Sequence, residues 1–294
     1  MEIAITIALA IVGAAMGSFA AATVWRIRAR QLDYDKKHKE PYDKKEYAHL
    51  KKLLGKKVAS DRSQCLHCGY SLKWYDLIPA VSWLSLRGKC RECRKPIGVF
   101  EIISEVGLAA YFVVLYLFWP GGLVTPIDVI QLSIWLVAGV ALTVLVAYDY
   151  KWFLLPDSGV LIVGLLGLVN AALVVTQATE PIQALLSVAT SVAILGGLYG
   201  VLYYASKGRW VGFGDVKLGF ALGLLIADWR LAFVALFLAN FIGCLIVIPM
   251  MLFKKIKASS RVPFGPLFIA GTVLALLIGP YIIDWYAPLL ALPL

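Results

Sequence analysis

Eight apolar runs, near residues 3–25, 102–119, 129–148, 158–176, 182–205, 216–227, 231–252 and 264–283, restrict this chain more than any other feature of it. Most approach the ~20 residues that a helix needs to cross about 30 Å of hydrocarbon, where backbone polar groups must be satisfied within the segment itself. With 61% hydrophobic and only 16% charged residues and a mean hydropathy of +0.80, a soluble globular chain is excluded. The expected fold is all-α, a polytopic membrane bundle of about eight transmembrane helices. The 216–227 run is short and glycine-rich, so a tilted segment shielded by its neighbours is expected there, with seven full spans as the other count.

Positive charge sets the orientation. Of the 28 lysines and arginines, 27 fall in 26–95, 149–157, 206–217 and 253–263, and only Arg230 lies on the other side. Such loops are retained in the cytoplasm, which puts the amino terminus outside. The first run is preceded by Glu2 and followed by the dense basic stretch, which suits an uncleaved anchor rather than a signal peptide.

Within the long segment 26–101, the stretch 26–62 mixes lysines with acids and reads as a solvated, partly helical loop. Anionic lipid is its expected partner if it has one, with Tyr47, Leu50, Leu53 and Leu54 forming an amphipathic helix on the membrane surface. Nucleic acid is a poor fit, because the charge is mixed and no stacking platform is evident. The stretch 63–96 holds Cys65-x2-Cys68 and Cys90-x2-Cys93 with 21 residues between the pairs, the spacing of a zinc ribbon. Four cysteine ligands leave no open position for water, so the metal is expected to be structural zinc. His67 is read as a bystander, Cys244 as a small packing residue, and the aromatics from Trp74 to Leu84 as a surface resting at the membrane interface.

Two acids stand at the edges of apolar runs, where an ionisable group is costly unless used: Asp149 in Ala147-Tyr148-Asp149-Tyr150, and Asp215 in Gly212-Phe213-Gly214-Asp215. Asp149 sits at a helix carboxyl end, where the dipole disfavours negative charge. Asp157 follows a proline and opens a new apolar run, so helix capping explains it. Gly212 and Gly214 are expected to permit unusual backbone angles and the close approach of an extended peptide, with Lys217 as a basic neighbour; these three are the expected substrate-binding residues. The topology brings both acids to one face, which suggests acid/base chemistry. A transporter or proton channel using them as an ion relay is the rival reading, weakened because relay acids usually lie deeper in spans. A scaffold whose acids merely cap helices is the other.

Several motifs together resemble the type IV prepilin peptidases, a bacterial family of membrane aspartyl proteases. They are Gly17-Ser18-Phe19 with Arg26, Arg62-Ser63-x-Cys65-x2-Cys68, Leu72-x-Trp74-Tyr75-Asp76-Leu77-Ile78-Pro79, Ser82-Trp83-Leu84, Leu86-Arg87-Gly88-Lys89-Cys90-Arg91-x-Cys93, the hinge from Asp149 to Pro156-Asp157, Gly212-x-Gly214-Asp215-Val216-Lys217-Leu218 and Pro263-Phe264-Gly265-Pro266. The resemblance implies that Asp149 and Asp215 are the catalytic pair, one protonated and one ionised around a shared water. It implies a substrate with a short basic leader and an apolar helix, a type IV pilin or type II secretion pseudopilin precursor cut after a glycine at the cytoplasmic face of the inner membrane. It also implies N-methylation of the new amino terminus from S-adenosylmethionine. Against the family pattern, Ala21 stands where an asparagine is usual and Phe100-Glu101-Ile102 replaces Arg-Tyr-Pro, while Glu105 matches a family glutamate. The expected division is a first helix over 1–25, a basic loop and zinc module over 26–101, and the protease core over 102–294.

Overall fold

The computed structural model describes residues 2–54, 63–79, 81–255, 257, 260–286 and 288. Arg62 of the first cysteine motif lies outside the described residues, as does 55–60 of the basic loop. The chain forms two compact units, residues 1–117 and 118–294.

In the first unit, α1 (Glu2–Lys37) runs far past the expected span end at residue 25. Its 36 residues extend for about 54 Å. The extension is helical because it packs: Ala29 and Leu32 are buried against Leu50 of α2 (Lys44–Leu50), with Tyr47, Leu53 and Leu54 closing over them. These apolar side chains therefore face α1, not a lipid surface, which corrects the expected amphipathic membrane helix. Asp43 caps α2 by accepting from the amides of Lys45 and Glu46, and Arg28 pairs with Glu46 at 2.6 Å. After the short α3 (Val81–Ser85), α4 (Val99–Leu117) returns along α1. Gly13 makes that approach possible, since a Cβ there would lie 2.8 Å from Ala109 Cα.

The second unit starts with α5 (Pro126–Trp152), whose entry is fixed by a reciprocal cap in which Asp128 N–H donates to Thr125 Oγ1 and Thr125 N–H to Asp128 Oδ2. Then follow α6 (Asp157–Gln177), α7 (Pro181–Val192), a π-helical turn over Ala193–Gly197, α8 (Leu198–Ser206), α9 (Phe213–Ile226), α10 (Trp229–Leu252) and α11 (Gly265–Tyr286). Among the described residues, seven helices are long and apolar enough to cross a membrane, with α7, the π turn and α8 forming one of them.

The remaining apolar run is α9, and it differs in kind. Its 14 residues reach only about 21 Å, short of the ~30 Å hydrocarbon layer. Val216, Leu218, Ala221, Leu222, Leu225 and Ile226 are all buried, so it is apolar around most of its circumference and surrounded by protein. Small residues let the neighbours close in. A Cβ on Gly223 would stand 2.7 Å from Val192 Cα, one on Gly219 would overlap the Leu195 carbonyl in the π turn, and one on Gly167 of α6 would meet Leu225 N at 2.7 Å. Polar side chains then bind the last carbonyls of α9: Asn170 Nδ2 donates to Leu225 O at 2.9 Å and Ser191 Oγ to Gly223 O at 2.8 Å.

Overpacking this seam should destabilise the bundle. Gly223→Ala is expected to cost about 1–3 kcal/mol, read as a lower thermal midpoint in detergent, whereas Gly107→Ala, where a Cβ meets nothing within 4 Å, should leave the midpoint in place.

Candidate active site

Asp149 lies in the last turn of α5, where Phe153 takes the left-handed conformation (φ 54°) and donates its N–H back to Asp149 O at 2.8 Å, ending the helix. Its side chain is only 6% exposed. The buried carboxylate has a specific partner: Oδ2 accepts the Gly265 N–H at 2.9 Å, and Gly265 is the first residue of α11. A helix amino terminus directs unpaired N–H groups and positive dipole at that oxygen. A Cβ on Gly265 would sit 2.8 Å from Asp149 Oδ2, so a larger residue there would have to displace the carboxylate.

Asp215 is the third residue of α9, half-buried, and accepts the Gly212 N–H at 3.3 Å. Leu155, from the turn between α5 and α6, lies between the elements that carry the two acids. It is 3.2 Å from where a Cβ of Gly214 would be and 3.4 Å from where one of Gly265 would be. Neither Gly212 nor Gly214 has a positive φ, which corrects the expectation of unusual backbone angles; a Cβ at Gly214 would press on Leu155 at 3.2 Å. Gly212 is exposed and precedes α9 in extended backbone.

Lys217 is paired with Asp157 in an ion pair joining the start of α6 to the first turn of α9, and its ammonium also lies 5.4 Å from the Phe213 ring centre. The cap residue of α6 is Pro156, so Asp157 is the first helical residue and the partner of Lys217 rather than the expected cap. Gly265 was legible in sequence only as part of a Pro-Phe-Gly-Pro motif ahead of an apolar run. Its contact with an acid 116 residues away carried no local signal.

In the first unit, the four cysteines converge. The Sγ atoms of Cys65, Cys68, Cys90 and Cys93 all lie within 4.8 Å of one another, with Cys65 and Cys93 at 3.9 Å. Bonds of ~2.3 Å in a tetrahedron place sulfurs about 3.8 Å apart, so the cluster fits a metal ion such as zinc. The two knuckles are built alike. Cys65 N–H donates to Tyr70 O and Cys90 N–H to Lys95 O, and Gly69 and Arg94, each four residues on from a first cysteine, both have positive φ. Burial pushes the Cys65 thiol up to about 11; it pushes Cys90 up as well, but the amides of Cys93 and Glu92 with the neighbouring Cys65 and Cys93 thiols outweigh it there and draw Cys90 down to about 7. His67 stays outside the cluster, its ring edge-on to His49 at 5.5 Å.

One clamp of this module went unread in the sequence. Asp76, its side chain 3% exposed, accepts from Arg91 Nε at 2.8 Å and from Lys73 N–H at 3.2 Å, tying the Trp74–Leu77 turn to the second knuckle. Burial pushes its carboxyl up, but the Arg91 guanidinium and the Lys73 amide hold it below the usual range. Cys244 is exposed on α10, not packed inside as expected.

Residues 11–119 match the bacterial peptidase A24 N-terminal domain and residues 136–248 the type IV leader peptidase family. This chain belongs to the type IV leader peptidase family. It is 30% identical to a prepilin leader peptidase/N-methyltransferase of Stutzerimonas stutzeri, over 76% of this chain and 74% of that one. It is 32% identical to one of Aeromonas hydrophila, over 76% and 74%. A type 4 prepilin-like proteins leader peptide-processing enzyme of Escherichia coli O78:H11 (strain H10407 / ETEC) is 31% identical over 74% and 75%. No solved structure matches the chain significantly. Both matched regions of this peptidase family chain contain a site described above: the cysteine cluster in the first, and Asp149 and Asp215 in the second.

The cluster makes a direct prediction. Cys90→Ser should abolish stoichiometric zinc in the purified protein by elemental analysis, while Asp76→Asn should keep the ion but weaken its affinity by about 10-fold in chelator competition.

Proposed function

We propose that this chain is a prepilin-type leader peptidase in which Asp149 and Asp215 are the catalytic pair. What carries the reading is that two carboxylates from distant parts of the chain, one held by Gly265 N–H and the other by Gly212 N–H, stand on segments that pack on the same Leu155. Two carboxyl groups serving one site do not both ionise readily, so one proton is shared by the pair. The ionised member takes a proton from water as the water oxygen bonds to the scissile carbonyl carbon, and the protonated member donates to the carbonyl oxygen. Collapse of that intermediate breaks the C–N bond and returns a proton to the leaving amine.

The proposed substrate is a pilin or pseudopilin precursor with a basic leader and an apolar helix, cut at the cytoplasmic face of the inner membrane. The location of 27 of 28 cationic residues on the side of the α5–α6 turn and the loop before α9 supports that face. Beside the acids, the extended backbone at Gly212, just ahead of Gly214 in the first turn of α9, offers an edge for the peptide, and Lys217 stands at its rim. Zinc is proposed to be structural, since four thiolates complete its shell. The ion would fix the two knuckles to each other and take no part in hydrolysis.

Methylation of the new amino terminus is the second proposed activity, on the strength of the relatives' names. Bound S-adenosylmethionine would supply an electrophilic methyl group. No step is assigned to it.

Asp149→Asn and Asp215→Asn, assayed separately in membranes with a pilin-like precursor, should each lower cleavage by at least about 10³-fold while the protein accumulates normally. Cleavage persisting in either variant removes that residue from the pair. Mass analysis of the wild-type product tests the second activity by the presence or absence of one added methyl group.

A further inference from the structure

Tyr199 is a buried phenol that the mechanism above does not use. It is the second residue of α8, immediately after the π-helical turn, and is 6% exposed. Phe264 and Phe268 flank its ring at centroid distances of 5.2 and 5.1 Å. Asn240 of α10 donates from Nδ2 to the phenolic oxygen at 3.2 Å and to its own helix at Leu236 O at 2.8 Å. The oxygen thus accepts one hydrogen bond, and its own hydrogen has no protein acceptor among the described residues. A phenol in an apolar bundle normally finds one.

Two connections show where that hydrogen would be used. Tyr199 is followed by Gly200, where a Cβ would lie 3.6 Å from Cγ1 of Val216, the residue after Asp215. On its other side it packs on Phe264, the residue before Gly265, whose amide holds Asp149. The ring therefore packs beside the segments that carry or hold both acids, and its oxygen bonds to neither. π-helical turns within α-helices are often found at functional sites, where they re-aim the side chains that follow.

We propose that Tyr199 is a third polar group of the active site, positioned by Asn240 to donate its phenolic hydrogen to the scissile peptide held by Asp149 and Asp215. The inference rests on the reading of those two acids as the catalytic pair. As water adds, the carbonyl π electrons move onto the carbonyl oxygen, and a hydrogen bond from Tyr199 stabilises the charge that develops there. No bond to Tyr199 forms or breaks. Such a donor acts mainly in the transition state, so its loss lowers kcat more than it changes KM.

The ordinary alternative is a tyrosine that serves only to fill space between Phe264 and Phe268. Tyr199→Phe separates the two, because it keeps the ring and leaves Asn240 its bond to Leu236. With the full chain in detergent and a pilin-like precursor as substrate, Tyr199→Phe is expected to lower kcat about 10²-fold, with KM and the thermal midpoint unchanged. A kcat within twofold of wild type overturns the proposal, as does a loss that follows a lowered midpoint. If Tyr199→Phe does not accumulate, Asn240→Ala takes its place: a fall in kcat at constant KM supports the proposal, and wild-type kcat overturns it. Asp149→Asn and Asp215→Asn run alongside. If both are inactive while Tyr199→Phe is fully active, only the role of Tyr199 falls; if either acid variant is active, the catalytic-pair reading itself falls.

Discussion

The hydrogen bond from Gly265 N–H to Asp149 organises the second unit. A carboxylate that is nearly inaccessible to solvent needs a donor, and the amino terminus of α11 supplies one at 2.9 Å. The bond requires a residue without Cβ at position 265 and a helix that begins there. It also brings the preceding Phe264 against Tyr199, while Leu155 fills the space between Gly265 and Gly214. Removing the glycine would displace either the acid or the helix. The arrangement therefore couples the termination of α5, the start of α11 and the first turn of α9 in a single packing problem.

The same physical device recurs throughout that unit. Without a strong hydrophobic force between apolar helices in lipid, association depends on close packing and on polar groups satisfied across the interface. Gly219 and Gly223 let α9 settle against the π turn and α7, and Asn170 and Ser191 complete its carboxyl end. A helix too short to span the hydrocarbon alone is then stable, because its surroundings are protein. Asp215 sits at its amino end, where the helix dipole favours an anion, whereas Asp149 sits near the carboxyl end of α5, where the dipole opposes one and the Gly265 amide compensates. The two acids are thus held in different electrostatic surroundings.

The cysteine module was the most legible part of the site. Two Cys-x2-Cys pairs carry their geometry locally, since each knuckle is a short turn closed by its own backbone bonds, and only the distance between knuckles depends on longer-range packing. The Asp76 to Arg91 clamp sets part of that distance and was hidden, because an acid and an arginine 15 residues apart in mixed sequence give no pattern. The basic loop was misread for a related reason. Leu50, Leu53 and Leu54 do form an apolar face, but a face read in sequence does not name its partner, and here the partner is the continuation of α1.

Local chemistry was enough to determine several things: apolar runs of span length that dictate a helical membrane bundle, four thiols spaced for a metal, and two acids conspicuous at the ends of apolar runs. These signals survive in one dimension because hydrophobicity, charge and ligand spacing act over a few residues. Tertiary structure alone decided that α9 is a short helix packed largely against protein, that Lys217 is bound to Asp157, that Gly265 supports Asp149, and that Tyr199 packs against Phe264 and accepts from Asn240. Each of those depends on contacts between segments far apart in the chain, fixed by how closely helices can approach, and no local pattern encodes that distance.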